Sequence, residues 1–267
     1  MKKIVIGVIA VIVVLAAAVV IVPSLIDWNN YKPDIAQAVK DATGRDLVIG
    51  GDIEVSILPE ISFRVSDIKL SNAPGAAEAE MFTLAAARGR IGLFPLISGA
   101  AIVEELVISK PVVHLSVDKS GRPNWAFRGA AAPAKAKAAA KTEDGGPPIS
   151  GLKLGDVRLE DGLVTYTDAR TGQKVVAKAI NVKAALAELS APFTLTGSLT
   201  LNGDPVVLKV SLNSPGGLLG GNRAALDTAI QATHIKLSYA GGVRQKPIPA
   251  LDGTFDLSIP SVGRMAA

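Results

Sequence analysis

The chain has 267 residues, 49% of them apolar but only 4% aromatic, with a formal net charge of +4 and a mean hydropathy of +0.37. The absence of cysteine excludes structural disulfides and thiolate metal sites. The positive charge forms no dense basic stripe interleaved with aromatics, which argues against a nucleic-acid partner.

Residues 4–26 read IVIGVIAVIVVLAAAVVIVPSLI and hold no charge. As a helix, residues 4–22 alone would reach about 28 Å, the hydrocarbon thickness of a bilayer. Lys2 and Lys3 precede this run, so the positive-inside rule leaves a cytoplasmic tip at 1–3, an anchor at 4–26 and the remainder across the membrane. Trp28 and Tyr31 follow, as an interfacial aromatic belt would. A cleaved export signal is the competing reading, with Ala16-Ala17-Ala18 near the cleavage site. The apolar run continues past those alanines, beyond the ~7–15 residues of a signal core, and this favours an uncleaved anchor. Either way the rest is exported.

Asn30 is a candidate N-cap with Pro33 in the first turn, and Ile35, Val39 and Ala42 share one helical face before Gly44 stops the helix. Such a helix would cap the end of a sheet or, less favoured, lie on a membrane surface. From Leu47 the period becomes two. Ile53, Val55 and Ile57 alternate with polar residues, and so do Ile61, Phe63 and Val65. Ile68 and Leu70 continue out of phase, which predicts a bulge or corner near Asp67. Residues 76–87 are ambiguous between a short helix and a loop leading into a strand over 82–91. Residues 102–108 and 112–117 read as two strands around Ser109-Lys110-Pro111.

Residues 129–148 have no periodic apolar face and read as a flexible linker between a first unit, 27–128, and a second β-rich unit, 149–267. The clearest strand carries Phe193, Leu195, Gly197, Leu199 and Leu201 on one side. Beyond Asn202-Gly203-Asp204-Pro205, which predicts a turn longer than two residues, Val206, Leu208, Val210 and Leu212 alternate again. Residues 216–221 read as a Gly-rich surface loop and 223–232 as a short helix. Around 235–239 and 255–259 lie further strands, and the unit reads as continuing beyond the C-terminal residue. At an offset of 51, Leu106, Ile108, Val112, Val113, Leu115 and Gly121 match Val157, Leu159, Leu163, Val164, Tyr166 and Gly172, as if one hairpin unit were repeated.

The predicted strands are apolar on one side and polar on the other, and the few short helices are too few to cover them. The sheet must therefore close into a sandwich or barrel, the likelier outcome from alternation alone, or offer its apolar side as a groove. Candidate groove residues are Ile53, Val55, Ile57, Phe63, Val65, Val113, Leu115, Leu195, Leu199, Leu208 and Val210. No nucleotide-binding loop, nucleophile elbow or HExxH occurs. His114 and His234 stand at polar strand positions with no second ligand nearby in sequence, so neither catalytic nor metal nor cofactor residues are assigned. Glu104-Glu105 and Glu160-Asp161 read as surface charge.

Several segments resemble the AsmA family: the anchor followed by DWNNYKP, the helix ending Ala42-Thr43-Gly44-Arg45, DLVIGGDIEVSILPEISFRVSDIKLSNAPG at 46–75, and IVEELVISKPVVHLSVDKSGRPNWAF at 102–127 with its closing Gly121-x-x-Asn124-Trp125. The resemblance implies a single-pass inner-membrane protein facing the periplasm of a Gram-negative bacterium. It implies a role in outer-membrane biogenesis and a long curled antiparallel β-sheet whose apolar groove binds or conducts phospholipid. Its partners would be membrane phospholipid, the inner membrane and envelope proteins. The alternative is a non-enzymatic periplasmic scaffold that affects outer-membrane protein assembly.

Overall fold

The computed structural model describes residues 26–57, 60–93, 95, 100–127, 151–244 and 250–259. Lys2, Lys3, nearly all of the proposed anchor and the whole proposed linker lie outside the described residues. Among the described residues no helix is long and apolar enough to cross a membrane.

The described chain begins with a 3-10 turn, Trp28–Tyr31, and a helix α1, Lys32–Thr43. Asp27, rather than Asn30, caps this region: its carboxylate accepts from the Asn29 backbone N–H at 3.0 Å. Gly44 ends α1 at φ 71°, as the sequence predicts, because only a residue without Cβ enters the left-handed region freely. The helix packs against the first edge of the sheet and buries none of its residues. Asn29 Oδ1 ties the preceding turn to that edge by accepting from Ile53 N at 3.0 Å.

Twelve strands follow: β1 Leu47–Ile49, β2 Ile53–Ser56, β3 Ile61–Ser71, β4 Glu80–Ile91, β5 Ala100–Val117, β6 Gly151–Asp168, β7 Lys174–Leu186, β8 Phe193–Leu201, β9 Asp204–Leu212, β10 Ala224–Ala232, β11 Lys236–Arg244 and β12 Ala250–Ser258. They form one sheet in the order β1-β3-β4-β5-β6-β7-β8-β9-β10-β11-β12, with β2 also on β3. β1 and β12 are not paired to each other, so the sheet is open. A short helix α2, Pro215–Leu219, replaces the expected loop between β9 and β10.

Four expectations need correction. The sheet is mixed, because β5 and β6 run parallel. The match at an offset of 51 is the register of that pair, Leu106 beside Val157 and Leu115 beside Tyr166, and each half is one 18-residue strand rather than a hairpin. Residues 223–232 form no helix, because β10 is paired on both sides, to β9 and β11. The β8–β9 turn has two residues, Asn202 at φ 50° and Gly203 at φ 101°, the two positive φ values a type I′ hairpin requires.

A broken line of left-handed residues runs from β3 to β7, skipping β4: Asp67 in β3, Lys110 in β5, Asp161 in β6 and Ala179 in β7, all at φ of 49–53°. Lys110 and Asp161 are 51 apart, so they sit side by side in the parallel pair. In each strand the line interrupts the two-residue period, and the apolar or small positions on either side are three residues apart: Val65 and Ile68, Ile108 and Pro111, Leu159 and Gly162, Ala177 and Ile180. Gly162 shows the consequence. A Cβ there would come within 2.9 Å of Leu159 Cδ2 and 3.4 Å of Pro111 Cγ. Positions 159 and 162 therefore look to the same side. The expected irregularity at Asp67 is real, yet the β3–β4 register does not shift there. The out-of-phase residues keep the apolar side continuous across a crease.

The turn closing β6 is held by Asp168, itself only 4% exposed, which accepts from Arg170 N at 2.9 Å, Nε at 3.0 Å and Nη2 at 2.6 Å. The Arg170 side chain, and then its backbone N–H, hold the carboxyl near a pKa of about 2. The folded value lies below the ordinary value of about 3.9, so this group stabilises the fold above about pH 4 and loses that contribution as pH falls toward 2. In full-length protein held in detergent, Asp168→Asn is expected to be less stable at neutral pH and to show a flatter decline in denaturation midpoint between pH 4 and 2. A decline as steep as the parent's would reject this role.

Candidate functional site

Register places the apolar residues in unbroken rows at right angles to the strands. One row passes from Val55 and Phe63 through Gly89, Leu106, Val157, Ala184, Leu195, Val210, Thr228 and Tyr239 to Phe255. A second, two residues along each strand, passes from Ile53 and Val65 through Ala87, Ile108, Leu159, Val182, Gly197, Leu208, Ile230 and Leu237 to Leu257. Each crosses every strand from β2 to β12. At about 4.8 Å per strand, ten steps make a track of roughly 48 Å. Apart from Thr228 no member of either row is polar. Gly89 is crossed by the Phe63 ring, since a Cβ there would sit 2.5 Å from Phe63 Cε1.

No second layer covers this track among the described residues. Helices α1 and α2 lie at the first edge and between β9 and β10, and Leu93 and Pro95 are helical between β4 and β5. The side chains support one another laterally and stay partly open to solvent, with Phe63 at 38% exposure, Ile230 at 43% and Leu257 at 63%. Of the row members only Gly89 and Tyr239 are buried. This excess of exposed apolar surface is far more than scattered single residues would give.

The interleaved row on the opposite side carries Glu54, Arg64, Arg88, Val107, Arg158, Lys183, Thr196 and Lys209 from β2 to β9. Glu105 joins Arg88 at 2.8 Å and Arg90 at 3.1 Å, and Arg88 is the main cause of its lowered carboxyl pKa. Arg158 spans Asp156 at 3.1 Å and Glu160 at 3.2 Å. Val107, fully buried, lies between its cross-strand neighbours Arg88 and Arg158, whose aliphatic stems can cover it. Of the adjacent carboxylates, Glu105 is thus engaged across strands and Glu160 along its own strand.

Seven of the eleven sequence-derived groove residues fall in the two rows, and four lie outside them. Val55, Phe63, Leu195 and Val210 stand in the first row, and Ile53, Val65 and Leu208 in the second. Leu199 pairs with Val206 one row further on. Val113 and Leu115 lie across the crease beside Val164 and Tyr166. Ile57 is half-buried just past the end of β2. Trp28 and Tyr31 stack on each other at 5.8 Å. His114 is half-buried and bonded to Thr165 at 2.8 Å, and His234 sits in the β10–β11 turn rather than in a strand. Among the described residues no group of three His, Cys, Asp or Glu could hold a metal ion.

The sequence reading did not single out the middle of the track, Leu106, Ile108, Val157 and Leu159. Nor did it find a polar hub at one end. Asn124, 4% exposed, donates from Nδ2 to Asn72 Oδ1 at 2.8 Å and to the His114 carbonyl at 2.7 Å, and accepts from Ser116 N at 2.9 Å. Its own carbonyl accepts from Arg45 Nη2 at 2.8 Å. The next residue, Trp125, stands 6.4 Å from Tyr166, a residue of the apolar side. The closing Gly121-x-x-Asn124-Trp125 therefore fastens the end of β5 to the loop at Asn72 and to the end of α1.

The AsmA family model matches residues 1–213, which include α1 and the strands from β1 to β9. The chain belongs to the AsmA family. No curated protein and no solved structure matches it significantly. In this AsmA-family chain the matched region holds most of the track, and β10 to β12 extend the same rows beyond it.

Proposed function

We propose that this chain is a membrane-anchored carrier that binds phospholipid acyl chains along the open side of its sheet, conducting lipid within the envelope of a Gram-negative cell. On this reading residues 4–26 hold it in the inner membrane, the sheet stands in the periplasm, and it serves outer-membrane biogenesis. The role is non-catalytic and needs no cofactor. The observation that carries the reading is the pair of rows crossing eleven strands with no covering layer among the described residues. Acyl chains laid along the track leave water at about 0.8 kcal/mol per buried CH₂, while head groups remain solvated. Family membership supports a lipid-transfer or envelope-biogenesis role in general terms.

A photo-cross-linking amino acid at Leu208, on the track, and at Lys209, its neighbour on the opposite side, tests this in cells. Lipid adducts are expected at 208 and not at 209. Equal labelling, or none at either position, would overturn the proposal.

A second reading, an assembly scaffold, has one observation in its favour. β12 is an edge strand exposed at all nine positions, with Leu251, Phe255 and Leu257 each about 60% exposed, and a long open edge is a template for another strand. Protein rather than lipid adducts at 208 would favour it.

A further inference from the structure

We propose that Arg45 forms an anion site beside the strand ends where β1, β3 and β5 meet, and takes the phosphate of a lipid head group. This rests on the lipid-carrier reading and adds a recognition point to it. Arg45 follows α1 directly, where Gly44 turns the chain back into the sheet. It is only 8% exposed and has no carboxylate within ion-pairing distance among the described residues. Its one side-chain hydrogen bond runs from Nη2 to the Asn124 carbonyl at 2.8 Å, and its buried Nε has no partner. A guanidinium removed from water without a counter-charge is costly, and a carboxylate or phosphate oxygen is the partner its planar fork fits.

There is room for such a group. Arg45 lines a cleft of about 640 Å³ together with Gly44, Ala76, Arg122, Asn124 and Ala126. Asp118 also borders it, but its carboxylate is already engaged by Ser120 N and by Arg122 N and Nε at 2.8–3.0 Å. The residue between Asn124 and Ala126 is Trp125, whose ring faces Tyr166 on the apolar side. The apolar side thus reaches the same strand end that the cleft borders, and a lipid with its phosphate at Arg45 would have that side within reach of its acyl chains. α1, about 18 Å long, connects this cleft to the end of the apolar N-terminal run.

The test uses the full-length chain in detergent with three probes: dioleoyl phosphatidylglycerol, dioleoylglycerol with the same tails and no phosphate, and inorganic phosphate. The wild type is expected to prefer phosphatidylglycerol over dioleoylglycerol by about tenfold or more, the scale of one charge-assisted bidentate contact. Arg45→Gln should lose that preference while still taking up dioleoylglycerol. Arg45→Lys, which keeps the charge without the fork, should retain part of it and guards against misfolding of the first variant. Inorganic phosphate should compete with phosphatidylglycerol on the wild type, a measurement that needs no variant. A wild type that does not discriminate, or an Arg45→Gln that keeps the preference, overturns the head-group site and leaves the track standing. Phosphate binding that phosphatidylglycerol does not displace assigns the cleft to a free anion and overturns the lipid assignment. Uptake of neither lipid removes both proposals.

Discussion

Replacing Leu195 with aspartate is expected to lower the phospholipid retained by the purified full-length chain by about two orders of magnitude. Leu195 stands in the middle of the first row, between Ala184 and Val210. A bound acyl chain would have to desolvate the new carboxylate, at a cost of about 3 kcal/mol or more, and each 1.4 kcal/mol is a factor of ten. The site is half-open, so the unliganded fold can keep that carboxylate hydrated and the variant should remain folded. The control is the adjacent residue. Thr196 points to the other side, between Lys183 and Lys209, where an aspartate gains two cationic neighbours. Thr196→Asp is expected to retain lipid at the parental level with equal or slightly higher stability. A folded Leu195→Asp that holds as much lipid as the parent would remove the track from the mechanism.

Asn124→Ala is expected to produce the largest stability loss of any single polar substitution discussed, about 3 kcal/mol by chemical denaturation. Three side-chain hydrogen bonds disappear, to Asn72, the His114 carbonyl and Ser116 N, in a position almost closed to water. Each partner left without an equivalent bond costs about 1 kcal/mol or more. Backbone contacts at Asn124 survive, including the carbonyl that accepts from Arg45, so the loss should stay partial. Asn124→Asp restores the acceptor for Ser116 but not the two donors, and should fall between the two. A change below about 0.5 kcal/mol for the alanine variant would show that the hub is not what fastens β5 to the first edge.

Much of the two-sided sheet could be read locally. Phe193, Leu195, Gly197, Leu199 and Leu201 alternate with threonine and serine, and the structure places them as that pattern requires. The stop at Gly44 and the disturbance at Asp67 were equally legible, since each depends on the conformational freedom of one residue and its neighbours. The misreadings share a cause. Residues 223–232 read as a short helix from local pattern alone. Hydrogen bonding to strands on both edges decided otherwise. Around Lys110 and Asp161 the broken period looked like the end of a strand. It is instead a left-handed step within one long strand, which β5 and β6 take side by side at the same level. Arg45 and Asn124 could not be connected from sequence, because their contact joins positions 79 residues apart.

The sequence alone determined that the chain is built of strands with one oily and one charged side and too few helices to hide the former, because side-chain alternation is a property of the backbone pleat over a few residues. Only the tertiary structure decided that β5 and β6 run parallel, that the strands on both sides of 128–150 join one open sheet, and that the apolar positions line up into rows from β2 to β12. Register is a long-range choice: it depends on which edge meets which and in what direction, and a single strand's pattern is satisfied equally well by several partners.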